Sequence, residues 1–309
     1  MSQNVAVVTG SNKGIGFAIV KLLCQRYDGV VYLTSRDEKR GRDALEELNQ
    51  LGLYPEYHQL DVTDRESVIK FRDHIKNKHN GLDILINNAG MVNNYSVIKK
   101  GYQEDKNIIE INYKGVLTIQ ELIFPLIRNT GRVLNISSDC GHLSNIRNKY
   151  WIDRLSRKDL TVDDINEFVE WFLESSKNGT FNKENIVDNG SIAAYRVSKV
   201  ALSALTIIQQ RELEDRNISV NSMHPGLVRT DMTVGIGMFT ADEAAETPVY
   251  LVLDAPQSLK GAYVWYDRRE LDWYDIKADY YFTMSFARSW IFASMFAKFK
   301  YYLGKILGW

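Results

Sequence analysis

The sequence has few of the residues that build disulfide frameworks and metal centres. Its 309 residues include only two cysteines, Cys24 and Cys140, and its five histidines show no metal-ligand spacing. Cys24 falls in an apolar helical stretch, where a cysteine is expected to act as a small buried side chain. These absences predict a reduced, intracellular protein without a structural metal.

The chain also lacks an excess of charge of one sign and internal repeats, and no leader segment is expected. Its formal net charge is −1 at pH 7, so nucleic acid is not expected as its main partner. A strand-like run, NVAVVT, begins at Asn4, so we expect no signal or transit peptide. We therefore expect a cytoplasmic location.

Short β-branched runs alternate with longer helical patterns from the start of the chain. This alternation predicts strands at 4–9, 29–34, 56–60, 82–87 and 132–137, and helices near 15–27, 38–51, 65–79 and 104–128. Hydrophobic residues make up 45% of the chain, which allows a sizeable core. Apolar strands separated by helices indicate an α/β fold with a doubly wound parallel sheet, which binds ligands at the carboxyl ends of its strands.

Two segments depart from this alternation. Residues 141–190 are predicted to form a helical insertion, with Thr161 as the N-cap of a helix whose apolar residues recur at Ile165, Phe168, Val169 and Phe172. Residues 274–309 form an aromatic, basic and amphipathic extension. Residues 1–273, including the insertion, are predicted to form a single domain.

The first predicted strand runs into a glycine loop, TGSNKGIG, and then directly into a helix. Glycine lets the backbone turn sharply and approach a pyrophosphate, and the helix N-terminus offers free N–H groups. The first β–α turn is the context that this motif requires, so a Rossmann-type dinucleotide site is favoured over a turn that binds nothing. The loop residues expected to contact the dinucleotide are Gly10, Asn12, Lys13, Gly14, Ile15 and Gly16.

The end of the second predicted strand indicates which dinucleotide binds. A site for NAD usually has an acidic residue there for the ribose hydroxyls, whereas this chain has Ser35 followed by Arg36. Arginine suits the 2′-phosphate of NADP(H), and Lys13 adds a second cation. Asp37 lies past the strand end, where helix capping is the expected role. The sequence therefore predicts NADP(H).

The stretch AAYRVSK places Tyr195 and Lys199 four residues apart in a predicted helix. Residues at this spacing lie one above the other on a helix face. A neighbouring ammonium lowers the pKa of a phenol, which suits the pair to proton transfer near neutral pH. By itself, the pattern is also common on helix surfaces that have no function.

Together these residues resemble the short-chain dehydrogenase/reductase family. Its motifs occur in order as TGSNKGIG (9–16), LDV (60–62), NNAG (87–90), IN (ending at Asn112), NISS (135–138), YRVSK (195–199) and HPGLVRTDM (224–232). The resemblance extends from the first strand to about residue 273. The wide interval between Ser138 and Tyr195, together with AETPVYLVL (245–253), resembles the monomeric carbonyl reductase branch.

The resemblance implies catalytic roles for four residues. Tyr195 would protonate the carbonyl oxygen as hydride arrives, and Lys199 would lower the pKa of the tyrosine and hold the nicotinamide ribose. Ser138 would hydrogen-bond the substrate oxygen. Ser137 competes for this role, but neighbours in a strand point to opposite faces. The backbone of Asn112 would hold a water that links Lys199 to solvent.

The resemblance also implies contacts with cofactor and substrate. The cofactor would contact Asp61 and Val62 at adenine, Asn88, Ala89 and Gly90 near the adenosine ribose, and Pro225, Gly226, Val228 and Thr230 at the nicotinamide amide. The substrate would contact Ser138, Asp139, Cys140, Tyr195 and Met232, with Trp151 and Leu227 as further candidates by neighbourhood. Asp139 and Cys140 stand where bulky apolar side chains are expected, which leaves the substrate preference open. Cys140 is expected to be a buried bystander rather than a reactive thiol.

The function that the resemblance implies is NADPH-dependent reduction of aldehydes, ketones or quinones. The alternative is an NADP(H)-binding sensor or scaffold, against which the intact set of four catalytic residues argues. A sugar-nucleotide epimerase is disfavoured by the glycine spacing, and a methyltransferase does not explain the pair of tyrosine and lysine.

Two expectations concern the surface. Many relatives dimerise through the two long helices, here 104–128 and 195–214, and an insertion over that surface predicts a monomer or a weak dimer. The extension at 274–309 has five Lys or Arg residues against two Asp residues, and no apolar run as long as the roughly twenty residues that span a bilayer. Contact with a membrane surface, packing on the protein or a dimer partner, and a position near the pocket mouth all stay open for it.

Overall fold

The computed structural model describes residues 3–92, 101–182, 185–186 and 192–278. Nearly all of the predicted aromatic extension, from residue 279 onward, lies outside the described residues, as does part of the insertion. Among the described helices, none is both long and apolar enough to cross a bilayer.

Strands and helices alternate as the sequence predicts. The strands are β1 (Val5–Val8), β2 (Val30–Ser35), β3 (Glu56–Gln59), β4 (Leu82–Asn87), β5 (Ile127–Ile136), β6 (Ser219–Met223), β7 (Tyr263–Val264) and β8 (Glu270–Leu271). The α-helices are α1 (Gly14–Arg26), α2 (Glu38–Gln50), α3 (Arg65–His79), α4 (Tyr102–Ile109), α5 (Gly115–Ile123), α6 (Lys149–Leu155), α7 (Val162–Lys177), α8 (Ala193–Leu213) and α9 (Ala241–Leu253).

These strands form one sheet in the order β3-β2-β1-β4-β5-β6-β7-β8. Neighbours from β3 to β7 are parallel, and β8 pairs antiparallel with β7. The chain winds outward from β1 to β3 and then returns to β4 on the other side of β1. Strand order therefore reverses between β1 and β4, where open α/β sheets bind ligands. The predicted doubly wound, single-domain Rossmann-type fold is confirmed.

The core lies on both faces of the sheet because its central strands are apolar throughout. All four residues of β1 are fully buried. Ala6 and Val8 pack in a cluster with residues of α1 and α9, whereas Val5 and Val7 pack in a cluster with residues of α3 and α5. Alternate side chains of one strand thus hold helices on opposite faces.

The predicted helix at 104–128 is shorter and interrupted. A π-helical turn, Glu110–Lys114, separates α4 from α5, and a 3₁₀ turn with Pro125 follows α5 and leads into β5 at Ile127. Proline lacks the N–H that a helix would need to continue. The π turn is a single wider turn flanked by residues in right-handed helical conformation, and the spacing of apolar residues did not reveal it.

The predicted helix of the insertion is α7, and its N-cap is Thr161. The Thr161 hydroxyl accepts the N–H of Asp164 at 3.2 Å, and the Asp164 carboxylate accepts the N–H of Thr161 at 2.9 Å. The four apolar residues of the prediction are buried in the cluster that also contains one face of α8. The insertion therefore packs on α8. Its limits and the oligomeric state stay predictions.

Candidate active site

The glycine loop joins β1 to α1 at the point where strand order reverses. Gly10 and Gly14 have φ values of +61° and +62°, which side-chain-bearing residues rarely adopt. A Cβ on Gly16 would lie 2.4 Å from Nδ2 of Asn88 and 2.9 Å from Cα of Ser11. The backbone therefore requires these glycines, and the loop that they form opens on the N-terminus of α1, as a pyrophosphate site requires.

The end of β4 holds this loop in place. Nδ2 of Asn88 donates to the carbonyl oxygens of Thr9 and Gly10 at 2.9 and 3.0 Å. The N–H groups of Asn88 and Ala89 both donate to the Thr9 hydroxyl at 3.0 Å. The Asn88 side chain thus positions the loop, a role that the sequence prediction of an adenosine contact did not include.

The carboxyl ends of β2 and β3 present the charged groups expected for the adenosine end. Arg36 is exposed, and no described residue forms an ion pair or hydrogen bond with its guanidinium. Asp37 caps α2 by accepting the N–H of Arg40 at 2.9 Å, which confirms its expected role. Asp61 accepts the N–H and the hydroxyl of Thr63 at 2.9 and 2.7 Å, and Val62 beside it is buried.

Lys13 lies within the glycine loop. Its Nζ is 2.7 Å from a carboxylate oxygen of Asp231, and both side chains are mostly exposed. Asn12 and Lys13 line a shallow surface hollow together with Arg40. An exposed ion pair contributes little stability, so the Lys13 ammonium is able to exchange Asp231 for a phosphate. The charges at this end fit NADP(H).

Tyr195 and Lys199 lie in the first turns of α8. Lys199 is buried, and its Nζ donates to the carbonyl oxygen of Ile136 at 2.7 Å and lies 5.7 Å from the centre of the Tyr195 ring. Burial lowers the pKa of Lys199 from 10.5 to about 8, because the charged form is poorly solvated there. The pair therefore holds a buried ammonium, able to exchange its proton near neutral pH, beside a phenol.

Asn112 lies in the π turn and connects the segment after β4 with α8. Its Nδ2 donates to the carbonyl oxygen of Met91 and to the Ser198 hydroxyl, both at 2.9 Å, and its Oδ1 accepts the N–H of Met91 at 2.8 Å. A Cβ on Gly90 would lie 3.4 Å from Oδ1 of Asn112 and 3.6 Å from Nζ of Lys199. Gly90 thus lies next to the lysine, and a Cβ there would make only ordinary van der Waals contacts with these atoms.

The two serines after β5 have different surroundings. The Ser137 hydroxyl is 2.7 Å from the hydroxyl of Ser203 on α8. The Ser138 hydroxyl donates to Oδ1 of Asp139 at 2.8 Å and accepts the N–H of Cys140 at 3.2 Å. To donate to a substrate oxygen, the Ser138 hydroxyl must therefore rotate away from the Asp139 carboxylate. Ser137 already has a partner on α8.

A cavity of about 690 Å³ lies over these groups. The predicted site residues along its wall are Ile15, Ser138, Asp139, Cys140, Tyr195, Pro225, Gly226, Val228, Thr230 and Met232, together with Leu227. Cys140 is 1% exposed, as expected of a bystander, whereas Met232 is 41% exposed at the rim. The cavity wall thus includes a phenol and a serine hydroxyl, with a buried ammonium beside the phenol. Such groups can deliver a proton to a bound oxygen.

The suggestion that Trp151 contacts substrate is wrong. This side chain is 5% exposed and packs against Phe168 and Trp171 within the insertion. Nearness in sequence to Ser138 suggested it, but α6 turns the indole into the core of the insertion. It stabilises the insertion and does not line the cavity.

An aromatic wall of the cavity was not predicted from the sequence. Phe239, Trp265 and Tyr266 form this wall, and His224 lies against it with its ring centre 4.3 Å from that of Trp265. Trp265 and Tyr266 follow directly after β7, a two-residue strand too short for periodicity to predict. The aromatic pair in YVWYD was the available signal.

Residues 4–150 and 184–246 match the family model of the short chain dehydrogenases. Carbonyl reductase (NADPH) 1 of Bos taurus is 38% identical over 257 residues, which cover 82% of this chain and 91% of the relative. The corresponding protein of Homo sapiens is 35% identical over 264 residues, covering 82% and 92%. The interval between the two matched parts, 151–183, contains most of α6 and all of α7.

Solved structures agree with the sequence matches. Salutaridine reductase from Papaver somniferum superposes with a TM-score of 0.77 at 32% identity, covering 86% of this chain and 100% of its own. Menthone neomenthol reductase from Mentha piperita gives a TM-score of 0.73 at 30% identity, covering 86% and 99%. The chain therefore belongs to the short-chain dehydrogenase family.

Proposed function

We propose that this protein reduces carbonyl groups of small molecules to alcohols with NADPH, and that Tyr195 donates the proton. As a short-chain dehydrogenase whose relatives at 34–38% identity are NADPH carbonyl reductases, it is an NADP-dependent oxidoreductase. The observation that most strongly supports Tyr195 as the proton donor is that Tyr195 and Ser138 line one mostly apolar cavity, with the buried Nζ of Lys199 5.7 Å from the centre of the Tyr195 ring. Aldehydes, ketones and quinones are the proposed substrate classes.

NADPH supplies the hydride when it is bound, and the residues of this chain do the rest. The glycine loop and Arg36 would hold the phosphates, and residues 225–230, most of which line the cavity, would border the nicotinamide. The Ser138 hydroxyl turns from Asp139 to donate to the substrate oxygen, which stabilises the developing negative charge. The Tyr195 hydroxyl then gives that oxygen its proton. The Lys199 ammonium favours the phenolate left behind, and Asn112 holds the segment beside the lysine in place.

Turnover with NADPH tests this proposal against a non-catalytic binder. We expect loss of the reduced-nicotinamide absorbance when purified protein is mixed with NADPH and a panel of quinones, ketones and aldehydes. Tight NADPH binding without turnover of any panel member would favour the sensor or scaffold alternative instead.

Arg36 is expected to determine the preference for NADPH over NADH. Hydrogen bonds to a charged group contribute about 1.5–3 kcal/mol, so Arg36→Leu should raise the KM for NADPH by roughly tenfold to hundredfold and change that for NADH little. Lys13→Met should have a smaller effect, since Lys13 must first leave Asp231. Steady-state kinetics at fixed ionic strength measures both.

Lys39→Met is the matched control for Arg36. Lys39 lies on α2 with its side chain 84% exposed, and it pairs with Asp43. The control removes the same charge from the same region. An equal rise in the NADPH KM in the control would assign the effect to general surface charge rather than to a contact with the 2′-phosphate.

Asp139 is expected to slow the reduction of neutral ketones. Its carboxylate accepts the hydrogen bond of the Ser138 hydroxyl and repels negative charge that develops on the substrate oxygen. Asp139→Ala should therefore raise kcat/KM for a neutral ketone by roughly tenfold, equivalent to about 1.4 kcal/mol. Asp139→Asn, which retains an acceptor but not the charge, should give a smaller increase. A fall in kcat/KM in both variants would show that Asp139 instead supports Ser138.

We also propose that the extension beyond residue 273 contacts a membrane surface. Its basic and aromatic composition suits an interfacial helix. The full chain should float with anionic liposomes more than a chain that ends at Trp273. Equal flotation of the two proteins would contradict the proposal, and raised salt should weaken any flotation that depends on charge.

A further inference from the structure

His224 is a buried histidine in the wall of the cavity, next to the residues that handle the substrate oxygen. It is 8% exposed. Its Nδ1 is 3.9 Å from Oδ1 of Asp139, and the same Oδ1 is 2.8 Å from the Ser138 hydroxyl oxygen. The Asp139 carboxylate therefore connects the imidazole with the serine that is proposed to bind the reacting carbonyl.

The hydrogen bonds of His224 determine which ring nitrogen carries the proton. The backbone N–H of Asp139 donates to Nδ1 at 2.9 Å, so Nδ1 is an acceptor without a proton of its own. Burial lowers the pKa of His224, which keeps the ring neutral at pH 7. A neutral imidazole with an unprotonated Nδ1 has its proton on Nε2. His224 is thus a donor at Nε2.

No described residue accepts a hydrogen bond from this Nε2–H. The atom is not sealed inside the protein, and the ring borders the cavity. Trp265 packs on the ring with its centre 4.3 Å away and limits its movement. A donor of fixed tautomer, held between a backbone N–H and an indole, is suited to binding an acceptor atom of a ligand, because little freedom is lost on binding.

We propose that Nε2 of His224 is a second hydrogen-bond donor to the substrate and that it selects carbonyl compounds with an oxygen on the carbon next to the reacting carbonyl. The inference rests on the proposed function. Ser138 and Tyr195 take the reacting oxygen, and His224 takes the neighbouring keto, hydroxyl or ether oxygen. The Asp139 carboxylate already accepts a hydrogen bond from the Ser138 hydroxyl at 2.8 Å and another from the N–H of Cys140 at 2.9 Å. The aromatic wall accommodates an aryl or other apolar substituent.

The test compares two ketones of the same size that differ in one acceptor. They are α-methoxyacetophenone and butyrophenone, in which a methylene group replaces the ether oxygen. The measured quantity is the ratio of their kcat/KM values, so that differences in NADPH binding cancel. A neutral hydrogen bond contributes about 0.5–1.5 kcal/mol, so His224→Asn should lower the ratio by roughly threefold to tenfold.

The choice of variants separates an effect of the lost hydrogen-bond donor from an effect of impaired folding. Asparagine places an acceptor near the position of Nδ1, which retains the hydrogen bond from Asp139 N–H, but it has no donor at the position of Nε2. Glutamine places an amide near Nε2 and should retain more of the preference. His224→Met, which also lacks the donor, replaces the asparagine variant if that protein does not fold, as judged by thermal melting.

The possible results are distinct. A lower ratio in the asparagine or methionine variant, with partial retention in the glutamine variant, supports the inference. An unchanged ratio in proteins that reduce both ketones overturns it and leaves the proposed function intact. Failure of the wild-type protein to reduce either ketone or any carbonyl in the wider panel overturns the proposed function, and this inference with it.

Discussion

Tyr195→Phe is expected to lower kcat for carbonyl reduction by roughly a thousandfold, within the range of 10²–10⁴ that general acid catalysis contributes. The substitution removes one hydroxyl group and leaves the ring that lies over Lys199. Without that proton, negative charge stays on the substrate oxygen when hydride arrives. Hydrogen bonds from Ser138 alone cannot neutralise it.

The measurement is single-turnover oxidation of NADPH, together with titration of NADPH binding by fluorescence. The affinity for NADPH should change little in Tyr195→Phe. A low kcat with unchanged NADPH affinity would show that the reaction step is impaired and that the cofactor site is intact. Tyr54→Phe is the matched control, since it removes the same hydroxyl from a side chain that is 78% exposed. A kcat for Tyr195→Phe within tenfold of wild type would mean that another group donates the proton.

Lys199→Met is expected to lower kcat by roughly a hundredfold, because the ammonium no longer favours the phenolate of Tyr195. The same substitution should make the fold more stable at pH 7. Burial lowers the pKa of Lys199 from 10.5 to about 8, so the folded protein holds the lysine charge at a cost. We expect a gain of about 2 kcal/mol at pH 7: roughly 3 kcal/mol from the pKa difference, less about 1 kcal/mol for the lost hydrogen bond to Ile136.

The pH dependence follows from the sign of the shift. Between pH 8 and pH 10.5 the unfolded lysine binds more protons than the folded one, so the wild-type free energy of unfolding rises with pH in this window. The cost of burying the charge is complete below pH 8 and absent above pH 10.5. The advantage of the methionine variant should therefore shrink across the window, as measured by urea denaturation at pH 7 and pH 10. An advantage that is constant with pH would indicate that folding does not lower the pKa of Lys199.

Much of the framework could be predicted from the sequence because it depends on local patterns. The apolar runs of β1, β2 and β4 are buried in the centre of the sheet, and Gly10 and Gly14 adopt the positive φ values that only glycine tolerates readily. Thr161 caps α7 because a capping box needs only four consecutive residues. Each of these signals lies within a few residues of the structure that it produces.

The environment of the catalytic groups required the tertiary structure. Periodicity extended a helix through Asn112, where the chain instead forms a π turn that ties the residue to Met91 and Ser198. Nearness in sequence suggested Trp151 as a substrate contact, but α6 turns it into the insertion. The aromatic wall comes from residues 239–266, which lie far along the chain from Ser138.

The sequence by itself determined the α/β fold, the glycine loop and the identity of the residues in the pair of tyrosine and lysine. Those features follow from backbone conformation and from residues spaced along one element. Only the tertiary structure decided that the Ser138 hydroxyl donates to Asp139, that Lys199 is buried against Ile136, and that Nδ1 of His224 accepts the N–H of Asp139. Each of these depends on distances between separate elements and on exclusion of water, which no spacing along the chain contains.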